Sequence, residues 1–161
     1  MKLPSIFTCC CATVKPQSAS ISYLTDARWD NTVPFVPPVT SGMVIKVYDG
    51  DTITIASKLP YDESPVYRFS VRLAGIDCPE IKGQTTVEKE LAKKARDALS
   101  SLVIGKIVYL TNVGTEKYGR LLADVYYDNL HINQWMLDNK YGYPYDGGTK
   151  LKGTYSATNQ Q

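Results

Sequence analysis

The chain has 161 residues, roughly one domain's length, and its 43% hydrophobic and 21% charged residues suit a globular protein rather than a disordered one. No run approaches the roughly 18 apolar residues of a spanning helix, which excludes an integral helical membrane protein. The net charge of +2 does not announce a nucleic-acid binder, yet the charges are segregated. Residues 42–80 carry four basic and six acidic groups, and residues 81–120 carry eight and four. That asymmetry fits an acidic site beside a basic surface, and it fits a solvated helix face equally well.

Residues 1–41 read as an N-terminal extension. Lys2, the moderately apolar stretch from Leu3 to Val14 and the small residues Ser18-Ala19-Ser20 resemble a weak signal peptide. Cys9, Cys10 and Cys11 instead suit lipid attachment, which would bring the chain to a membrane. A disordered tail is the third reading. Localisation therefore stays open between secreted, membrane-associated and intracellular. Pro34, Pro37 and Pro38 make the end of this segment an extended arm. The four cysteines form neither a disulfide framework nor a zinc motif, because no C-x-x-C pair exists and His131 is the sole histidine. His131 is read as structural.

The folded unit is expected over residues 42–150, followed by a polar tail over 151–161. Met43 to Val47 is β-branched and predicts a strand, Asp49-Gly50 a turn, and Thr52 to Ile55 the return strand. From Val66 to Ala74 the pattern has period two, with Tyr67, Phe69, Val71 and Leu73 on the inner side. Thr85 and Glu88 form a capping box for a helix whose face carries Val87, Leu91, Ala95, Leu99 and Leu102, and Gly105 ends it. Two more strands follow at Ile107–Thr111 and Leu121–Tyr127, then a short helix at Asn133–Asn139. Five strands with one long helix after the third predict a mainly β, α+β fold: a five-stranded OB-fold barrel with one long and one short helix.

Two acidic clusters stand at strand ends: Asp49 and Asp51 around Gly50, and Asp77 and Glu80 in Gly75-Ile76-Asp77-Cys78-Pro79-Glu80. Clustered carboxylates repel unless something offsets them, and a hard divalent cation such as calcium is a usual answer. Taken alone, Asp49-Gly50-Asp51 is more simply a hairpin turn. Arg72 and Arg120 shift that balance, because an arginine fork binds two phosphate oxygens at once. Carboxylates, a metal and two arginines are the parts of metal-assisted phosphodiester hydrolysis.

Tyr48-Asp49-Gly50-Asp51-Thr52, Arg72-Leu73-Ala74-Gly75-Ile76-Asp77-Cys78-Pro79-Glu80 and Lys117-Tyr118-Gly119-Arg120 resemble the three signature segments of the staphylococcal nuclease (thermonuclease) family, in its order and near its spacings. The resemblance covers roughly residues 42–150. It implies Asp51 and Asp77 as carboxylate ligands of a catalytic Ca2+, the backbone carbonyl of Cys78 as a further ligand and Asp49 as an outer-shell carboxylate. It implies Glu80 as the general base, a role disputed for the family, and Arg72 and Arg120 as binders of the scissile phosphate. Lys117 and Tyr118 would contact a terminal phosphate or the substrate backbone. Tyr143 and Tyr145 would stack on a base, whereas Tyr141 is read as core packing.

Three departures from the family pattern stand out. Cysteine at position 78 replaces a frequent threonine and would make activity sensitive to oxidation. The loop from Ile81 to Thr86 is short, and Asp146-Gly147-Gly148 leaves no room for a long C-terminal helix. The function implied is a calcium-dependent nuclease acting on DNA and RNA with little sequence preference and releasing 3′-phosphate products. The alternative is a catalytically inactive module of the same fold that binds nucleic acid or protein. No oligomerisation signal is visible, so the expectation is a monomer without a stable protein partner.

Overall fold

Alternating Val, Ile and Leu residues build the sheet. In the computed structural model, which describes residues 24–83 and 85–148, β1 (Ser41–Asp49), β2 (Thr52–Ser57) and β3 (Tyr67–Leu73) are successive antiparallel neighbours. Then come β4 (Ile76–Asp77), α1 (Thr86–Val103), β5 (Ile107–Thr115), β6 (Leu121–Tyr127), β7 (Leu130–His131), α2 (Ile132–Asp138) and β8 (Tyr143–Pro144). β5 runs antiparallel to both β1 and β6, while β6 pairs in parallel with β3 through Val71↔Leu121, Arg72↔Leu122 and Leu73↔Ala123. This last pairing closes the sheet on itself, giving a five-stranded barrel of the OB type with two helices. Val44, Ile53, Ile55, Val71, Leu73, Val108 and Val125 fill its interior.

The chain divides into two units between Phe35 and Val36. Of the first, residues 24–35 are described, and they include the 3₁₀ turn Trp29–Asn31, where the Arg28 amide donates to Asn31 Oδ1 at 2.7 Å. The cysteines at 9–11 lie outside the described residues, as do residues 149–161. Among the described residues no helix is long and apolar enough to cross a membrane. Val39 and Thr40 differ from their expected place in the arm. Val39 is a core residue, and the Thr40 carbonyl accepts from the Leu110 amide at 2.8 Å. The prolines just before them obscure the start of the strand pattern.

Helix α1 has the Thr85 half of the expected capping box, its hydroxyl accepting from the Glu88 amide at 3.1 Å. Its buried face differs. Ala92, Ala95, Leu99 and Val103 turn inward, Leu91 and Leu102 are half-buried, and Val87 is exposed. The reason is close packing. A Cβ added to Gly50 in the β1–β2 turn would stand 2.7 Å from the Ala95 Cβ, so small residues on both sides set the rotation of the helix. Helix α2 is pinned by buried Asn133. Its amide donates to the carbonyls of Ala74 (2.9 Å) and Ala123 (3.2 Å), and its oxygen accepts from the Val125 amide at 2.9 Å.

Candidate active site

The ladder positions place the side chains singled out in the sequence. Thr52↔Arg72 is the last pair of the β2–β3 ladder, and Val71↔Leu121 opens the β3–β6 ladder. The β1–β2 turn, the end of β3 and the β5–β6 loop therefore meet at one end of the barrel. Arg72 Nη1 lies 2.9 Å from Asp51 Oδ2, and its Nη2 lies 2.9 Å from Asp77 Oδ1 and 3.2 Å from the Ile76 carbonyl. One planar fork thus spans two buried carboxylates. Asp51 is held further by the Cys78 amide (3.1 Å to Oδ2) and by the Thr52 hydroxyl (2.8 Å to Oδ1).

Arg120 approaches from the opposite wall. Its Nη1 donates to the Thr52 hydroxyl at 3.3 Å, and its Nε pairs with Glu116 Oε1. Glu116 and Arg120 frame a tight turn in which Gly119, at φ 77°, takes a left-handed conformation that a side chain would resist. The Glu116 amide donates to the Arg120 carbonyl at 3.0 Å and closes that turn. Lys117 and Tyr118 sit on it, exposed, with Lys117 Nζ 4.9 Å from the Tyr118 ring centroid.

These groups surround a cavity of about 470 Å³ that gathers Asp49, Asp51, Arg72, Cys78, Glu80, Lys117, Tyr118, Arg120 and Tyr145 from the residues singled out in the sequence. Asp77 joins through Arg72. The Tyr145 ring faces the Arg72 guanidinium at 6.0 Å, and its hydroxyl donates to the Gly148 carbonyl. Tyr143 lines a neighbouring cleft instead, while Tyr141 packs against the core and tilts on Trp135. His131 lies outside the cavity and stacks on Tyr126 with 4.6 Å between ring centroids.

Electrostatics follow the geometry. Burial raises the Asp49 pKa, and the nearby charges of Asp51 and Glu80 add to the rise, against the Ile81 amide and Arg120. Burial works against the charge on Arg72, but Asp51 and Asp77 outweigh it and leave its pKa raised. Burial also pushes the Cys78 thiol up, and the residue is 1% exposed. A buried thiol that stays protonated is inert, so the expected oxidation sensitivity has no accessible thiolate to act through.

Among the described residues no three His, Cys, Asp or Glu side chains form a ready metal centre. A cation here would rest on the Asp51 and Asp77 carboxylates, backbone carbonyls and water, a hard-oxygen set of the kind calcium accepts. Sequence reasoning missed Glu116 and Thr52. Both escape a reading of the sequence because the turn brings Glu116 to Arg120 and only the fold brings Thr52 to Arg120.

Residues 70–153 match the family model described as staphylococcal nuclease homologue. An Escherichia coli O157:H7 protein named an uncharacterized endonuclease is 36% identical over 97 residues, covering 60% of this chain and 55% of its own length. A Haemophilus influenzae protein with the same name is 38% identical over 102 residues, 63% of this chain and 51% of its own. A probable staphylococcal-like nuclease of Oryza sativa subsp. japonica is 35% identical over 78 residues, 48% of this chain and 20% of its own. The chain spans about half the length of these bacterial relatives. With more than half of its length inside that family model and the signature residues gathered around one cavity, the chain belongs to the staphylococcal nuclease homologue family.

Proposed function

We infer that the chain is a calcium-dependent nuclease that hydrolyses DNA and RNA phosphodiesters with little sequence preference and releases 3′-phosphate products. The observation that carries this reading is the Asp51–Arg72–Asp77 bridge with Arg120 across Thr52, all at one 470 Å³ cavity. Asp51 and Asp77 fit calcium by donor type, since both are buried carboxylates that one guanidinium already holds together. Bound to them, with the Cys78 carbonyl and Asp49 close by, calcium would polarise the phosphoryl group and acidify water.

The chain's own residues account for the rest. Arg72 and Arg120 offer guanidinium N–H donors to the non-bridging phosphate oxygens, where negative charge grows in the transition state. Glu116 and Thr52 hold Arg120 in place before substrate arrives. Glu80, exposed at the rim, takes the proton of the attacking water. Lys117 adds positive charge from the loop, and Tyr118 supplies an exposed ring and hydroxyl beside it.

A second recess of about 430 Å³ shares Arg72, Glu116, Lys117 and Tyr145 with this cavity and adds the apolar side chains of Leu73, Ile76 and Leu122. An apolar floor beside the Tyr145 ring accepts any base by its face, which supports sequence tolerance. The test is digestion of single-stranded DNA, duplex DNA and RNA with calcium, with chelator, and with Arg120→Ala. Calcium-dependent cleavage that the substitution lowers by about 10²–10³ is expected. Folded protein that binds these substrates yet cleaves none would favour the inactive binding module.

A further inference from the structure

Pro79 separates two hollows. It follows Cys78 and precedes Glu80 in the catalytic cavity, and it also lines a second cleft of about 350 Å³ with Lys94, Lys140, Tyr141 and Tyr143. Lys94 projects from α1, and Lys140 stands just after α2 in a left-handed conformation (φ 58°). A hydrogen bond from the Lys140 amide to the Leu137 carbonyl at 2.9 Å fixes that turn. Both lysines are exposed, and neither has an acidic partner among the described residues. The Tyr141 ring leans on Trp135 with 5.6 Å between centroids, so one wall is rigid and aromatic.

Two ammonium groups without a salt bridge, in one cleft with two phenol rings, select a ligand that is anionic and planar at once. A nucleotide is such a ligand, combining a phosphate with a base whose face stacks on any aromatic ring. The position agrees. Tyr143 pairs with Asp77 in the β4–β8 ladder, and Tyr145 of the catalytic cavity is two residues further along the same segment. A strand whose phosphate sits at Arg72 and Arg120 would pass Tyr145, then Tyr143, and reach Lys94 and Lys140. Room for one nucleotide and the need for an unpaired base make this strand single.

We propose that the Lys94–Lys140 cleft is a second nucleic-acid subsite, holding a nucleotide that flanks the scissile phosphate of a single strand. Its lysines contact the phosphates, and Tyr141 and Tyr143 flank the base. The proposal rests on the nuclease reading for the strand's direction but not for its ligand class.

The test uses the full chain in chelator, so that nothing is cleaved, with fluorescent oligothymidylates as probes. The wild type binds an octanucleotide more tightly than a dinucleotide. The double variant Lys94→Gln/Lys140→Gln loses that gain, about tenfold. Its slope of log affinity against log salt for the octanucleotide becomes shallower by about 0.7 for each phosphate it no longer holds. Lys94→Arg/Lys140→Arg restores both. A double variant that keeps the full length gain and salt slope overturns the subsite, whether or not the wild type is a nuclease. Lysine-dependent binding by a protein that cleaves nothing in calcium upholds the subsite and defeats the nuclease reading instead. No binding of either probe by the wild type overturns the subsite outright.

Discussion

Strands β2 and β3 form one ladder with two unlike ends. At the Thr52↔Arg72 end, two buried aspartates and two arginines crowd the cavity, and Asp49 has its pKa raised by burial and by like charges. At the Ser57↔Tyr67 end the charged residues of the loop, Lys58, Asp62 and Glu63, are exposed, and the hydrogen bonds that close it join neutral groups. Ser64 accepts from the Leu59 amide and donates to the Pro65 carbonyl, both at 3.0 Å, and the Tyr61 and Tyr67 hydroxyls meet at 2.7 Å. That end simply satisfies its polar groups. The charged end sets ions that burial disfavours against one another, the arrangement of a candidate functional site. The charged end thus couples stability to the candidate site, whereas the opposite end is expected to carry stability alone.

Four substitutions probe that contrast. Arg72→Ala has the largest effect, since it leaves Asp51 and Asp77 facing each other without their shared partner. Chemical unfolding in chelator should show a loss of about 3–5 kcal/mol, and cleavage should fall as well. Arg120→Ala should separate the two properties: cleavage falls by about 10²–10³, while the melting temperature moves little, because Arg120 is held chiefly within its own loop. A large thermal shift in that variant would show that this wall carries stability after all.

At the opposite end only stability should change. Ser64→Ala removes the buried hydroxyl that accepts from the half-buried Leu59 amide and should cost about 1 kcal/mol in urea unfolding with no change in the rate of cleavage. Tyr67→Phe is the smallest. The hydrogen bond to Tyr61 raises the Tyr67 pKa above its ordinary 10.0, followed by smaller burial and charge effects. That stabilisation is complete below pH 10.0 and is lost as pH rises through the raised value. Wild type and Tyr67→Phe should therefore differ in urea midpoint at neutral pH and converge in strong alkali. A gap that widens in alkali would refute the assignment.

Much of this was legible along the chain, for local reasons. The β1–β2 turn, the Thr85 cap and the period-two pattern of β3 from Phe69 to Leu73 each depend on residues within a few positions of one another. Tyr67, expected on the inner side, is instead exposed at the strand's start, where its hydroxyl meets that of Tyr61. The signature residues were legible because their order in sequence mirrors the strand ends that carry them. What escaped depends on contacts made only by the closed fold. β4 and β8 are two residues each, too short for any periodicity. The rotation of α1 follows from Ala95 against Gly50, 45 positions apart in the chain. Asn133 looked like an ordinary polar residue at a helix start, yet it is 3% exposed and ties α2 to two carbonyls. Tyr143 and Tyr145 looked equivalent, and the short β8 segment gives them different cavities.

The parallel pairing of β3 with β6 has a kinetic consequence. Val71↔Leu121 joins positions 50 residues apart, and its immediate neighbours are Arg72 on one strand and Arg120 on the other. Contacts of such long sequence separation form slowly, after local hairpins and helices are in place. The two arginines therefore come together only when the barrel shuts, and any excursion that unzips this seam parts them. Recovery of activity after dilution from denaturant should lag behind recovery of helix signal, and should keep time with burial of the Val71–Leu121 seam.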